Sequence, residues 1–278
     1  MEVTNRLRSA VPQRNASTCL PGFGFAGSCR SALEVGGDFY DTLPLSNTSL
    51  MLVVADVMGK GLPAALFAAS VRTLVRALAK PGGRPSEWLS ELNQLMFEEL
   101  SHADVFVTIQ IAVADLARRE LRVANAGHCP LLLFDERRQV RSVAPKGMPL
   151  GIQLDTTFSE QCVVLDPAAS VLLYTDGVTE ARNSEGQFFG QARLEHWFGG
   201  MARVSQTALE LRNNLLQELV LFQGGENAAD DQTFLILLDE ASRAFEFPAR
   251  NGSRWSLEWC RPAWAAARLI HRAVNLRH

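Results

Sequence analysis

The order of apolar segments constrains this chain more than any other feature. Strand-length runs at residues 23–29, 39–42 and 50–55 come first. Two helical stretches, 62–78 and 86–100, then follow each other with no strand between them. Residues 105–114, 120–124, 131–134, 163–165 and 170–174 read as further strands, 194–198 and 207–222 as helices, and 233–238 as a last strand. A parallel sheet needs a crossover of a dozen or more residues, usually a helix, between successive strands. This chain does not alternate in that way, so it reads as α+β with largely antiparallel sheets.

Local signals support the helical readings. Pro63 suits a first helical turn, and the PGGRP stretch at 81–85 is a break. Ser86 is the expected cap of the second helix, with Trp88, Leu89, Leu92, Leu95, Met96 and Leu100 as its apolar stripe. A short helix is expected over 2–11.

Charge and cysteine content exclude several functions. The net charge of −3 is unevenly spread. Residues 240–278 carry seven Arg against three Glu, which leaves residues 1–239 at −7. An acidic body argues against a nucleic-acid-binding surface. The N-terminus has no apolar core of a signal peptide, and no apolar run approaches the roughly 20 residues of a membrane span. Five cysteines without a CxxC pair read as reduced thiols of a cytoplasmic protein.

Two apparent phosphate loops fail their context. Gly22–Gly27 matches GxGxxG, but a polar stretch precedes it and no helix follows. The glycines therefore punctuate a strand start. Gly59-Lys60-Gly61 resembles part of a Walker A loop, yet Val54 stands where its first glycine belongs and Gly61 where Ser or Thr should hold magnesium.

Aspartates recur where apolar strands meet glycine-containing or polar turns: Asp38 and Asp41, Asp56, Asp176, and Asp230 with Asp231. A strand fixes such a carboxylate, and a glycine lets backbone pass close to whatever it holds. Several carboxylates brought together cannot all stay ionised without a cation. All-oxygen sites of this type suit Mg²⁺ or Mn²⁺, and two such ions can clamp a phosphate and activate water. Asp-Gly is also an ordinary turn. The intervals between Asp38, Asp56, Asp176 and Asp230 are 18, 120 and 54 residues, so spacing alone does not bring them together.

In order, the strings EVGGDFYD (34–41), ADVMGKGLPAALFAA (55–69), ANAGHCPLLL (124–133), GMPLGI (147–152), LLYTDGVTEARN (172–183) and DDQTFLIL (230–237) resemble the SpoIIE-like bacterial branch of the PPM metal-dependent protein phosphatases. The resemblance covers residues 1–239. It implies a four-layer αββα sandwich, with two Mn²⁺ or Mg²⁺ ions at one edge. It also implies removal of phosphate from serine or threonine of a protein by a metal-activated water. Carried over position by position, it makes Asp38, Asp56, Asp176 and Asp230 the catalytic metal ligands, with the Val57 carbonyl beside them. Asp231 either exchanges with Asp230 or supports it, the second being favoured. Asp41, three residues along from Asp38, faces the other way.

Other polar residues have two readings each. His128 is a general acid or a turn-stabilising histidine, the second favoured. Lys60 touches substrate phosphate or is a solvated loop residue. Cys129 is a packing residue. Eukaryotic members of the wider family place a His where this chain has Met58, and their N-terminal phosphate-binding Arg has no clear counterpart.

The resemblance further implies a cytoplasmic signalling protein, its substrate a phosphorylated STAS-type anti-sigma-factor antagonist. An activating sensor or adaptor protein and a homodimer are possible partners; nucleic acid and membrane are not. The helix pair 62–78 and 86–100 is expected to act as a regulatory switch. The rival reading is a catalytically inactive module that binds the phosphoprotein. Residues 240–278 form a basic, Trp-rich tail in which 262–276 could be an amphipathic helix.

Overall fold

A computed structural model describes residues 22–225 and 228–246. In chain order these form β1 (Phe23–Arg30), β2 (Phe39–Pro44), β3 (Ser49–Val57), α1 (Leu62–Leu78), α2 (Pro85–His102), β4 (Val107–Asp115), β5 (Glu120–Ala126) and β6 (Leu131–Phe134). They continue with β7 (Val140–Val143), β8 (Glu160–Val164), β9 (Ser170–Tyr174), α3 (Asp176–Thr179), α4 (Gln191–Met201), α5 (Ala208–Gln223), β10 (Gln232–Asp239) and α6 (Glu240–Glu246).

The strands make two five-stranded sheets, ordered β1-β10-β9-β6-β7 and β2-β3-β4-β5-β8. Every pairing is antiparallel. The α+β reading holds, and three apolar cores show how the layers stack. Along β3, Leu50, Leu52 and Val54 pack between the sheets with Leu235 and Leu237 of β10. Met51, Val53, Ala55 and Val57 face the opposite way, against Val71 and Val75 of α1 and Leu89 and Leu92 of α2. Phe234, Ile236 and Leu238 of β10 face α4 and α5 through Leu194, Phe198, Leu211 and Leu215. The result is a four-layer αββα sandwich. Side chains alternate across a pleated strand, so a strand covered on both faces needs an unbroken apolar run, as β3 and β10 have.

Two local expectations need correction, and one strand was not expected. The second helix is not capped by Ser86: Arg84 is its N-cap, Pro85 opens it, and Ser86 Oγ donates to Glu160 Oε2 at 3.1 Å. Leu95 leaves the buried stripe and is half exposed. Strand β7 has no counterpart in the sequence reading, because VRSV is an edge strand with a mostly exposed surface. The GxGxxG match lies largely within β1, as the strand reading requires.

The compact unit extends past Asp239 to Arg243. The extension has a physical cause. The Arg243 guanidinium is buried, donating to the Ala202 carbonyl, to the Ser205 carbonyl at 3.0 Å and to Ser170 Oγ at 2.7 Å. The helices expected over 2–11 and 262–276 lie outside the described residues. Among those described, no helix is long and apolar enough to cross a membrane.

Candidate metal centre

Strand pairing carries the aspartates to one edge. In the β2–β3 register Phe39 lies opposite Ala55, so one step further sets Asp38 opposite Asp56. Asp56 continues the inward series Leu50, Leu52, Val54 and so faces the gap between the sheets. In the other sheet, β9 pairs with β10 with Tyr174 opposite Phe234. Asp176, just after β9, and Asp230 and Asp231, just before β10, therefore share an end. Antiparallel pairing thus removes the separations of 18 and 54 residues, and the stacking of the two sheets removes that of 120.

A hydrogen bond ties the two sheets together here. Thr175 Oγ1 donates to Asp38 Oδ2 at 2.7 Å and accepts from the Thr233 amide at 3.1 Å. Asp231 is buried and accepts from the Ala32 amide at 2.8 Å and from the Asp38 amide at 3.4 Å. Both its oxygens hold the loop that carries Asp38. Asp230 is more open. Its Oδ1 lies 3.1 Å from Lys60 Nζ, which also donates to the Ala229 carbonyl at 2.7 Å.

Two glycines allow the backbone to close in. A Cβ on Gly37 would lie 2.5 Å from the Val57 carbonyl oxygen, and one on Gly177 would lie 1.9 Å from the Asp231 carbonyl oxygen. No side chain can stand at either position without moving backbone.

The electrostatics follow from burial and crowding. Burial raises the Asp38 pKa well above the ordinary carboxylate range, and the Asp56 and Asp231 charges raise it further against the Thr175 hydrogen bond. Burial, then Asp176 and Asp230, push Asp56 up to about 6. Asp176 is raised by burial, Glu180 and Asp230. These are carboxylates competing for too little positive charge.

The donor set is all oxygen, anionic and crowded, which is the chemistry of a Mg²⁺ or Mn²⁺ site. Among the described residues, however, no group of three or more His, Cys, Asp or Glu side chains is arranged to hold a metal ion as it stands. Two contacts bear on this: Lys60 engages Asp230, and Asp231 is committed to backbone amides. The carboxylates suit a divalent cation in chemistry, and Asp230 Oδ1 is held by Lys60.

The remaining candidates fall outside this constellation. Asp41 points to α1, where Arg72 Nε at 2.9 Å and Arg76 Nη1 at 2.8 Å pair with its Oδ2. His128 is buried in its turn: Nδ1 lies 2.8 Å from Thr108 Oγ1, and Asn125 bonds its backbone amide and carbonyl. Burial lowers the His128 pKa to about 4. Cys129 feels the Asp176, Asp56 and Asp38 charges, but burial is the larger cause that pushes its thiol up to about 12. A thiol that stays protonated is no nucleophile. Sequence reasoning assigned no role to Thr175, although the string Tyr-Thr-Asp-Gly places it directly before a metal-ligand candidate.

Comparison with known proteins agrees with this fold. RsbU of Bacillus subtilis, named a phosphoserine phosphatase, is 28% identical over 207 residues, covering 74% of this chain and 60% of RsbU. Across three curated relatives, the chain spans 36% to 60% of their length. The crystal structure of the RsbU and RsbW domains of Rv1364c from Mycobacterium tuberculosis aligns with TM-score 0.66 and 28% identity, over 80% of this chain and 61% of that one. The SiaA-PP2C domain of Pseudomonas aeruginosa aligns with TM-score 0.73 and 25% identity, over 85% and 94%. Residues 46–238 match the family described as Stage II sporulation protein E, and the chain belongs to this SpoIIE family.

Proposed function

We propose that this chain is a metal-dependent serine/threonine protein phosphatase acting on a phosphorylated regulatory protein. The observation that carries the proposal is the crowding of Asp38, Asp56 and Asp176, from both sheets, into one edge where each carboxylate raises or is raised by its neighbours. The RsbU and RsbP relatives, both named phosphoserine phosphatases, support the reaction class. A STAS-type anti-sigma-factor antagonist is the substrate that the family resemblance favours.

Asp38, Asp56, Asp176 and Asp230 would hold two Mn²⁺ or Mg²⁺ ions, with the Val57 carbonyl as a further ligand. When bound, such ions neutralise phosphate charge and lower the pKa of an attacking water. The protein's own part is positioning. Thr175 orients Asp38, Asp231 anchors the loop from Ala32 to Asp38, and Gly37 brings that loop against the Val57 carbonyl. His128 donates no catalytic proton in this scheme, since its neutral ring is packed against Thr108.

The test is turnover of p-nitrophenyl phosphate and of a phosphoserine STAS protein with Mn²⁺, repeated with Asp176→Asn. We expect metal-dependent turnover that falls by about two or more orders of magnitude in the variant. Turnover indifferent to that change, or none with any divalent metal, would defeat the proposal. Binding of the phosphoprotein without turnover would leave the inactive-module reading.

A further inference from the structure

Lys60 lies in the turn from β3 to α1, between Gly59 and Gly61, which have φ of 100° and 72°. Its side chain is half exposed and has water available. It nevertheless reaches across to the entry of β10, 169 residues along the chain, and bonds the Ala229 carbonyl at 2.7 Å. Its ammonium lies 3.1 Å from Asp230 Oδ1. Asp56 feels the negative charges of both Asp176 and Asp230, so the Lys60 ammonium sits at the border of the acidic group. It is a cation supplied by the fold at a carboxylate that a divalent ion would need.

We propose that Lys60 is the internal counterion of Asp230 and competes with divalent metal for that carboxylate, lowering the metal affinity of the centre. The inference rests on the metal-centre reading above. An ammonium and a divalent cation at one carboxylate repel each other, and only one of them can hold Oδ1 at close range.

The experiment is calorimetric titration of the full chain with Mn²⁺, for wild type, Lys60→Met and Lys60→Arg, with thermal melts in chelator as a check on folding. Lys60→Met is expected to tighten the weaker Mn²⁺ site by about three- to tenfold, the range open to a half-exposed charge. Lys60→Arg is expected to stay within about twofold of wild type. The gain is expected to shrink in about 1 M salt, where the screening length falls to about 3 Å. Unchanged or weaker Mn²⁺ binding by Lys60→Met would overturn the assignment of Lys60 alone. Wild type that binds no Mn²⁺ would overturn the metal-centre reading and this inference with it.

Discussion

The Thr175 hydroxyl donates to Asp38 Oδ2 at 2.7 Å, joining residues 137 positions apart and the two sheets to which they belong. The same oxygen accepts from the Thr233 amide, so one side chain both closes the β9–β10 ladder and aims a carboxylate. Thr175→Val keeps the shape and removes both bonds. The expected cost is about 1–3 kcal/mol, the range for leaving buried polar groups without their partner. Urea denaturation would measure it. Mn²⁺ affinity is expected to weaken several-fold, and Thr175→Ser to restore most of both. A valine variant as stable as wild type would show that the bond is dispensable.

The crowded carboxylates make stability depend on pH in a stated direction. Asp56 has a folded pKa of about 6 against an ordinary 3.8. A raised pKa means the native state holds its proton more tightly, so this contribution to stability is full below about 4 and is lost as pH rises through about 6. Asp38 and Asp176 shift in the same direction, whereas His128, lowered to about 4, acts oppositely as pH falls below about 6.5. The informative quantity is therefore the difference between wild type and Asp56→Asn. In chelator, Asp56→Asn is expected to be the more stable at pH near 7, with the gain shrinking toward pH 4. Mn²⁺ competes with protons for the same oxygens, so its stabilisation of wild type should grow with pH. Melts over this range with chelator and with Mn²⁺ would check both trends.

The layers were legible because burial writes itself into sequence. Strands β3 and β10, covered on both faces, are unbroken apolar runs, and α1 was legible from its composition and Pro63. Strand β7 was not, since an edge strand with two exposed central residues has no apolar pattern to show. Ser86 misled because Pro85 took the first helical position and Glu160, 74 residues away, took the serine oxygen. The candidate aspartates were legible as types at strand ends. Their convergence was not, because it comes from the β2–β3 and β9–β10 registers and from the stacking of one sheet on the other. Nor could adjacency separate Asp230 from Asp231. Contacts to the amides of Ala32 and Asp38 set Asp231 apart, and Lys60 marks Asp230.

Asp41 tests whether the second aspartate of the Gly-Gly-Asp segment is structural. Its side chain is 8% exposed and pairs with Arg72 and Arg76 on α1, away from the acidic edge. Removing one partner of a buried pair leaves charge without compensation, at a cost of about 3–5 kcal/mol. Arg76 is about one-third exposed, so water recovers part of that cost. Asp41→Ala is expected to lose about 2–3 kcal/mol in urea denaturation. Mn²⁺ affinity of the folded variant should stay within about twofold of wild type. A large loss of Mn²⁺ binding without loss of stability would instead make Asp41 a ligand.

His128 offers the sharpest test of how protons are handled at this edge. Its Nδ1 is 2.8 Å from Thr108 Oγ1, its backbone is held by Asn125, and burial keeps the ring neutral down to about pH 4. A ring with that pKa carries almost no proton to donate near neutral pH. His128→Gln should therefore cost stability, about 1–2 kcal/mol for the disturbed turn, without reshaping the pH–rate profile under saturating Mn²⁺. The imidazole resonances of wild type should show no His128 titration between about pH 5 and 8. An inflection near pH 6.5 in wild type that vanishes in His128→Gln would assign the proton to this histidine. The structural reading of the turn would then have to give way to a general acid.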